Sequence, residues 1–396
     1  MARWYNRRRF LRGEYRVGRI DAVGWDAVKE SVAAGDAVLL APNHADHADP
    51  HVLLELAWRI GLDLRFMGAR ELFDGGGLRA WALQKTGVFS VDRDGPDLAA
   101  IRTAIGILVG GGHPLVVFPE GEIYHHHEWL DPLHEGVASI LLMAAGKLAA
   151  GRRALLVPAA MRFRHDPAVE ESFAGRLSVL EQRIGWKPKE LMDLDERIVR
   201  LGAGVLVLKE VEYLGQPGQG TLAERLENLS GGLLAEVEAR HGADPRAVQV
   251  PERVRSLRYR IRRRLLDEEN PPAAAARRQY FDDLDRTFVA LQAHSYPAGY
   301  LLERPSLDRR AETLMRLEED LLGNCRYAAE RSATVVAGEP IDVSALLASG
   351  GLAAKRRATE LTARLEERLG KLMTGSRTGC FADGEAGTSF REVRRG

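Results

Sequence analysis

The sequence predicts an α/β fold with a largely parallel sheet, interrupted by a mainly helical insertion. Two observations carry the first part: compact apolar runs of strand length recur through the first 165 residues, and a stretch with helical signals follows almost every one. A third carries the second part. After about Asp166 the strand-like runs give way to long apolar stripes at helical spacing.

The elements follow in order. DAVLLA (36–41) is a short buried strand ending at Pro42. PHVLLELAWRI is a helix, with Asp49 as its N-cap and Pro50 at its first position. LRFMG (64–68) is a second strand, and a helix from about Leu78 to Lys85 follows the DGGG turn. GVFSV (87–91) is a third strand, before a helix from Pro96 to Val109. PLVVFP (114–119) is a fourth, before a helix from Pro132 to Ala149, and ALLVPAAM (154–161) is a fifth.

Within the insertion, Leu222, Leu226, Leu229, Leu233 and Val237 keep one helical stripe, and Phe281, Leu284, Phe288 and Leu291 keep another. NPP (270–272) and SYPAG (295–299) break the region into helical hairpins, and GVLVLKEV (204–211) reads as a strand-like interruption. TVVAGEPIDV (334–343) returns to a strand and turn, before a helix from Ala353 to Leu372. The expected organisation is a core over 15–165, an insertion over 166–330, a closing strand and helix over 331–373, and a polar, glycine-rich disordered tail over 374–396.

Composition narrows the function classes. Hydrophobic residues are 45% and charged residues 28%, enough to bury a core. Lys plus Arg and Asp plus Glu are 56 each, so overall charge gives no argument for a polyanionic partner. Two cysteines fit a reducing cytosol better than a disulfide scaffold. The N-terminus has no apolar h-region, which speaks against a signal peptide, and no apolar run reaches the roughly 18 residues of a spanning helix. Residues 1–20 hold seven arginines against one glutamate, with Trp4, Tyr5, Phe10 and Leu11 interleaved. That suits an anionic bilayer surface, or a floppy charged terminus. ERVRSLRYRIRRRLL (252–266) reads as an internal helix with a solvated basic face, and no nucleic-acid module accompanies it.

The stretch NHADHADP (43–50) raises the chemical question. Positions five apart on a regular helix face different ways at about 100° per residue. His44 and Asp49 therefore meet only if the chain turns between them, and the helix signals do begin at Asp49-Pro50. A carboxylate on one imidazole nitrogen leaves the other as a general base. Asp46 competes with Asp49 for His44 on local sequence alone.

The ordered set HxxxxD (His44 to Asp49), GVFSVDR (Gly87 to Arg93), FPEGE (Phe118 to Glu122) and LLVPAAM (Leu155 to Met161) resembles the four motifs of the glycerolipid acyltransferases, the lysophosphatidic acid acyltransferase-like family. VVAGEPIDV resembles the family's closing strand. The resemblance implies an acyltransferase-type mixed sheet flanked by helices. It implies His44 as the base acting on an acceptor hydroxyl, Asp49 as its orienting partner, and Arg93 as the ligand of the acceptor phosphate. Glu120 and Gly121 would shape the acceptor pocket, and Gly87 and Pro158 would lie on strands bordering it. It further implies a lysophospholipid acceptor, acyl-CoA or acyl-carrier protein as donor, and no cofactor. The enzyme would be cytoplasmic and peripheral on the inner face of the cell membrane, with no nucleic-acid partner. The third motif departs from the family after Glu-Gly, where Glu122, Ile123, Tyr124 and His125 to His127 replace a small residue and an arginine. Histidines, or Arg70 and Arg79, are the candidates to compensate.

Two other functions compete. HADHAD contains the His-x-Asp-His core of a metal-dependent hydrolase, with His44, Asp46 and His47 as ligands, but Pro42 stands where that motif needs another histidine. The other is a non-catalytic lipid-surface module. His125 to His127 read as a polar loop more readily than as metal ligands.

Overall fold

In the computed structural model the described residues are 2–74, 76–95, 97–244, 249–349, 354–375 and 388–389. The chain forms two units: Met1–Asp92, Asp97–Glu170 and Arg326–Gly396 make one, and Arg93–Pro96 with Glu171–Cys325 the other. Most of the tail expected over 374–396 lies outside the described residues.

The first unit is a mixed sheet flanked by helices. Its strands are β1 (Val17–Val23), β2 (Ala37–Pro42), β3 (Arg65–Ala69), β4 (Val88–Val91), β5 (Leu115–Val116), β6 (Ala154–His165), β7 (Arg331–Ala337), β8 (Ile341–Asp342) and β9 (Thr388–Ser389). The spatial order is β4-β3-β5-β2-β6-β7-β1-β9, with β8 also paired to β6. From β4 to β6 all neighbours are parallel. The β6–β7 pair is antiparallel, and β7–β1 is parallel again. Because β5 enters between β2 and β3, the chain leaves β2 at a point where its neighbours diverge, the usual place for a crevice in such sheets.

The central strands are apolar on both faces because both faces are covered. Leu39, Leu115 and Leu156 pack with the helices Leu98–Gly110, Gly136–Ala145 and Ala354–Gly375. Leu40, Val116 and Val157, one residue along each strand, pack on the other side with Trp25–Ala33 and Asp49–Ile60. The sequence reading missed β1 and the helix Trp25–Ala33. β1 has a partner more than 300 residues away, and its half-exposed pattern gives no compact apolar run. The fourth strand is shorter than its apolar run. The Val117 amide still donates to the Leu40 carbonyl (3.0 Å), after which the chain turns over Phe118–Gly121.

The second unit is helical. Leu194–Leu214, Leu222–His241, Val250–Leu265 and Ala274–His294 share a core that includes Leu206, Leu233, Leu257, Ile261 and Ala290. Residues 204–211 belong to the first of these helices and are not a strand. Asp193 caps that helix by accepting from the Asp195 and Glu196 amides, and the buried positions Arg197, Ile198, Leu201 and Gly204 follow a period near four. The absent Gly204 side chain leaves room for the Trp186 ring. In Ala274–His294 the Phe281 and Phe288 stripe is about half exposed, and the buried face carries Asp283, Thr287 and Ala290. Asp283 is held there by Arg240 (2.6 Å) and His241 (2.7 Å). The basic helix Val250–Leu265 buries Val254, Leu257 and Ile261. Several of its arginines bind this unit's own acceptors, Arg253 on Glu238 (2.8 Å) and Arg262 on Asp94 (2.9 Å) among them.

Gly87 sits at the N-terminal end of β4, whereas His44 follows the C-terminal end of the parallel strand β2. The two are at opposite ends of the sheet, so Gly87 does not border the residues around His44. Its φ is +84°, and a Cβ there would come 2.7 Å from the Leu64 carbonyl oxygen. The position needs glycine for its backbone alone. Gly87→Ala is therefore expected to lower stability by about 1–3 kcal/mol, read as a lower urea midpoint. An unchanged midpoint would contradict this account.

Candidate active site

The site begins where β2 ends. Asn43 is buried, and its side chain extends the strand pairing: Nδ2 donates to the Met161 carbonyl (3.1 Å), and the Met161 amide donates to Oδ1 (2.6 Å). This double bond fixes the loop's first residue on β6. His44 then begins a turn that brings its Nδ1 2.9 Å from Asp49 Oδ2. The same oxygen accepts from the Ala45 and Asp46 amides, each at 2.9 Å. Asp49 is the first residue of its helix, with Ala48 as N-cap, so it does not cap the helix as expected. Its carboxylate faces back over the loop, and the Asp49 amide closes the turn on the Asp46 carbonyl (3.0 Å).

The loop also holds the imidazole in one orientation. The His44 ring stacks on Phe118, with centroids 3.9 Å apart and planes 21° from parallel. The His44 amide donates to Glu120 Oε1 (2.6 Å), and the Asp131 amide donates to Glu120 Oε2 (3.3 Å). Nδ1 donating to a carboxylate leaves Nε2 with its lone pair, the tautomer a base requires. The His44 side chain is 14% accessible and that of Asp49 is 0% accessible, so the imidazole is reachable and its partner is shielded.

Glu120 is buried, and burial pushes its pKa well above the ordinary carboxyl value. Asp131 raises it further, while the amide donors from His44 and Asp131 act against the rise. Gly121, at φ +78°, lets the turn pass beneath His134, whose ring atoms would be 3.0 Å from a Cβ.

Asp46 does not compete for His44. Arg331, at the start of β7, places Nη1 2.6 Å from Asp46 Oδ2 and Nη2 3.2 Å from Oδ1. The Ala48 amide (2.8 Å) and the Tyr327 hydroxyl (3.4 Å) donate to Oδ1 as well. The guanidinium lies between the Phe163 and Tyr327 rings, 4.6 and 4.3 Å from their centroids, and donates to the Tyr15 carbonyl. Burial works to raise the Asp46 pKa. The charge and hydrogen bonds of Arg331, with His125 and His127 adding to them, outweigh it and hold the carboxylate well below its ordinary range.

The remaining predicted residues are placed as follows. Pro158 is buried in β6 opposite the hand-over from β7 to β8, and its carbonyl accepts from the Gly338 amide (2.8 Å). Arg93 lies two residues beyond β4 and belongs to the helical unit. The expected polar loop 125–127 is buried instead. His126 bridges the Trp129 carbonyl (3.1 Å) and Asp131 (3.0 Å), His127 packs on Phe163, and His125 adopts φ +54° beside His47. Sequence reasoning missed Arg331, Tyr327 and Asn43. Arg331 is 285 positions from Asp46, and no local pattern distinguishes it from a surface arginine.

Two pH-linked outcomes follow. Asp46 has a folded pKa below its unfolded value, so its contribution is complete above the unfolded pKa and is lost as pH falls through the folded one. Asp46→Asn strands a buried guanidinium and is expected to cost about 3–5 kcal/mol, with a shallower loss of stability in acid; equilibrium unfolding across pH measures both. Glu120 has the opposite sign. Its raised pKa makes its contribution fade as pH rises through the folded value, so Glu120→Gln should flatten that decline. An identical decline in the variant would count against the assignment.

Comparison with known families places this geometry. Residues 27–162 match a family model described as Acyltransferase. No curated protein matches the chain. The matched span contains the Asn43–Asp49 loop and the Phe118–Gly121 turn, and it ends within β6. Over those residues the chain is similar to acyltransferase domains.

Proposed function

We propose that this domain moves a fatty acyl group from an acyl thioester, acyl-CoA or acyl-carrier protein, to the hydroxyl of a lysophospholipid such as lysophosphatidic acid. The observation that carries the reading is the 2.9 Å contact of His44 Nδ1 with a fully buried Asp49 inside the matched residues. His44 Nε2 takes the proton of the acceptor hydroxyl as its oxygen attacks the thioester carbonyl. The new C–O bond forms, the C–S bond breaks, and the imidazolium returns the proton to the departing thiolate. Asp49 fixes the tautomer and balances the imidazolium. Positioning a hydroxyl, a base and an acyl carbon together supplies the rest, and the reaction needs no cofactor.

The motif resemblance assigns the acceptor phosphate to Arg93, whose planar fork matches phosphate oxygens. Glu120 and Gly121 shape the turn against which the His44 backbone rests. Pro158 acts through β6, and Gly87 serves only the turn that precedes β4. The metal-hydrolase reading loses support from the same geometry, because Asp46 is committed to Arg331 and His44 Nδ1 to Asp49. Among the described residues, no helix is long and apolar enough to cross a membrane. The reading therefore takes the lipid acceptor at a bilayer surface.

The test is thiol release from acyl-CoA or acyl-carrier protein in the presence of a lysolipid, with the acylated lipid identified by mass. His44→Ala should abolish both signals. Asp49→Asn should reduce kcat by roughly 10²–10⁴-fold while lysolipid binding persists. Full turnover by His44→Ala would remove the reading.

A further inference from the structure

The N-terminal segment precedes the residues that match the family, so the domain alone does not explain it. It consists of a short α-helix, Ala2–Tyr5, continued by a π-helix, Asn6–Glu14. This contradicts the floppy terminus weighed from sequence. One side of the segment is docked on the helix Asp49–Ile60, the helix that begins with the partner of His44. Asn6 is buried, its Nδ2 donates to the His51 carbonyl (3.1 Å), and His51 Nδ1 donates to its Oδ1 (2.6 Å). Leu11 is buried, and the Phe10 ring lies 4.4 Å from that of His51. Burial lowers the His51 pKa to about 4, which keeps this joint neutral. Tyr15, just beyond the segment, supplies the carbonyl that Arg331 uses while holding Asp46.

With that side committed, the other side is set by the sequence. Trp4 is 60% exposed and Tyr5 51%. Arg8, Arg9, Arg12 and Arg16 are exposed, while Arg3, also exposed, reaches Glu55 of the docked helix (3.4 Å). Between residues 2 and 16 the segment holds six arginines and one acidic residue, Glu14. Arg9 reaches Glu14 at 3.4 Å, and the Arg8 guanidinium lies 5.3 Å from the Trp4 ring centroid. The chain as a whole is balanced in charge, so this concentration of arginine is local. Amphipathic aromatic rings together with arginines match the headgroup layer of an anionic membrane, where the rings sit at the apolar boundary and the guanidinium groups meet phosphates.

We propose that the exposed Arg/Trp/Tyr face of residues 2–16 is a docking surface for an anionic lipid bilayer, and that it holds the Asp49–Ile60 helix and its His44 loop at the membrane. The proposal rests on the lipid-acyltransferase reading for its purpose, but vesicle binding, not turnover, decides it. Full-length protein is mixed with vesicles of phosphatidylcholine, with or without phosphatidylglycerol, and bound protein is measured by flotation over a salt series. Binding is expected to require phosphatidylglycerol and to weaken steeply with salt. The double variant Arg8→Glu/Arg9→Glu should bind at least tenfold more weakly, and Trp4→Ala should weaken binding at low and high salt alike. Turnover of a short-chain, monomeric lysolipid should be unchanged in both. If charge reversal disturbs folding, Arg8→Gln/Arg9→Gln gives the same reading with a smaller loss. Equal binding to neutral vesicles, unchanged binding by the arginine variants, or capture of RNA in preference to vesicles would overturn the proposal. Charge-dependent vesicle binding without thioester turnover would retain it while removing the acyltransferase reading.

Discussion

Two buried aspartates three residues apart organise the loop after β2. A carboxylate without water is costly unless donors surround it. Asp49 gathers two loop amides and the His44 ring on its Oδ2, while its Oδ1 is buried without a hydrogen bond, and Asp46 takes Arg331, an amide and a tyrosine hydroxyl. The loop conformation follows from making both sets of contacts at once. Arg331 has an effect beyond its own pair, because by taking Asp46 it leaves His44 a single carboxylate partner and so a single tautomer.

The third carboxylate of the site behaves differently. Glu120 meets another acid, Asp131, and no guanidinium reaches it among the described residues' hydrogen bonds. Its two oxygens tie the His44 amide to the start of the next segment, and its environment favours the neutral form. Within one small region the fold therefore keeps one carboxyl firmly ionised and pushes another toward protonation. This separation comes from the placement of Arg331, His125 and His127 around Asp46 and of Asp131 beside Glu120. The histidine run, read in sequence as a polar loop, is buried, and His125 and His127 are part of the field around Asp46.

The sheet explains why these residues meet. β5 inserts beside β2, so the turn after β5 delivers Phe118 and Glu120 to the loop after β2. β6 on the other side anchors Asn43, and β7, antiparallel to β6, starts where its first residue reaches Asp46. The residues that match the acyltransferase model span 27–162, yet a position far outside them, Arg331, is among those that hold the loop after β2. The N-terminal segment is tied to the same network through His51 and the Tyr15 carbonyl.

The sequence by itself determined the alternation of strands and helices in the first half and the ordered motifs. It also determined that His44 needs a turn to reach Asp49, because five residues on a helix do not face each other. These are local properties, written in apolar spacing and in the chemistry of single positions. Only the tertiary structure decided which aspartate the histidine takes, because the competitor is removed by an arginine 285 positions away. It also decided that Gly87 stands at the far end of the sheet from His44, and that 204–211 is helical despite its β-branched run. The buried face of Ala274–His294 likewise follows Asp283 and its partners rather than the phenylalanines. For Asp46 and Asp283 the deciding contacts come from partners distant in sequence, and spacing along the chain carries no record of them, whereas the helix through 204–211 also has its local Asp193 cap.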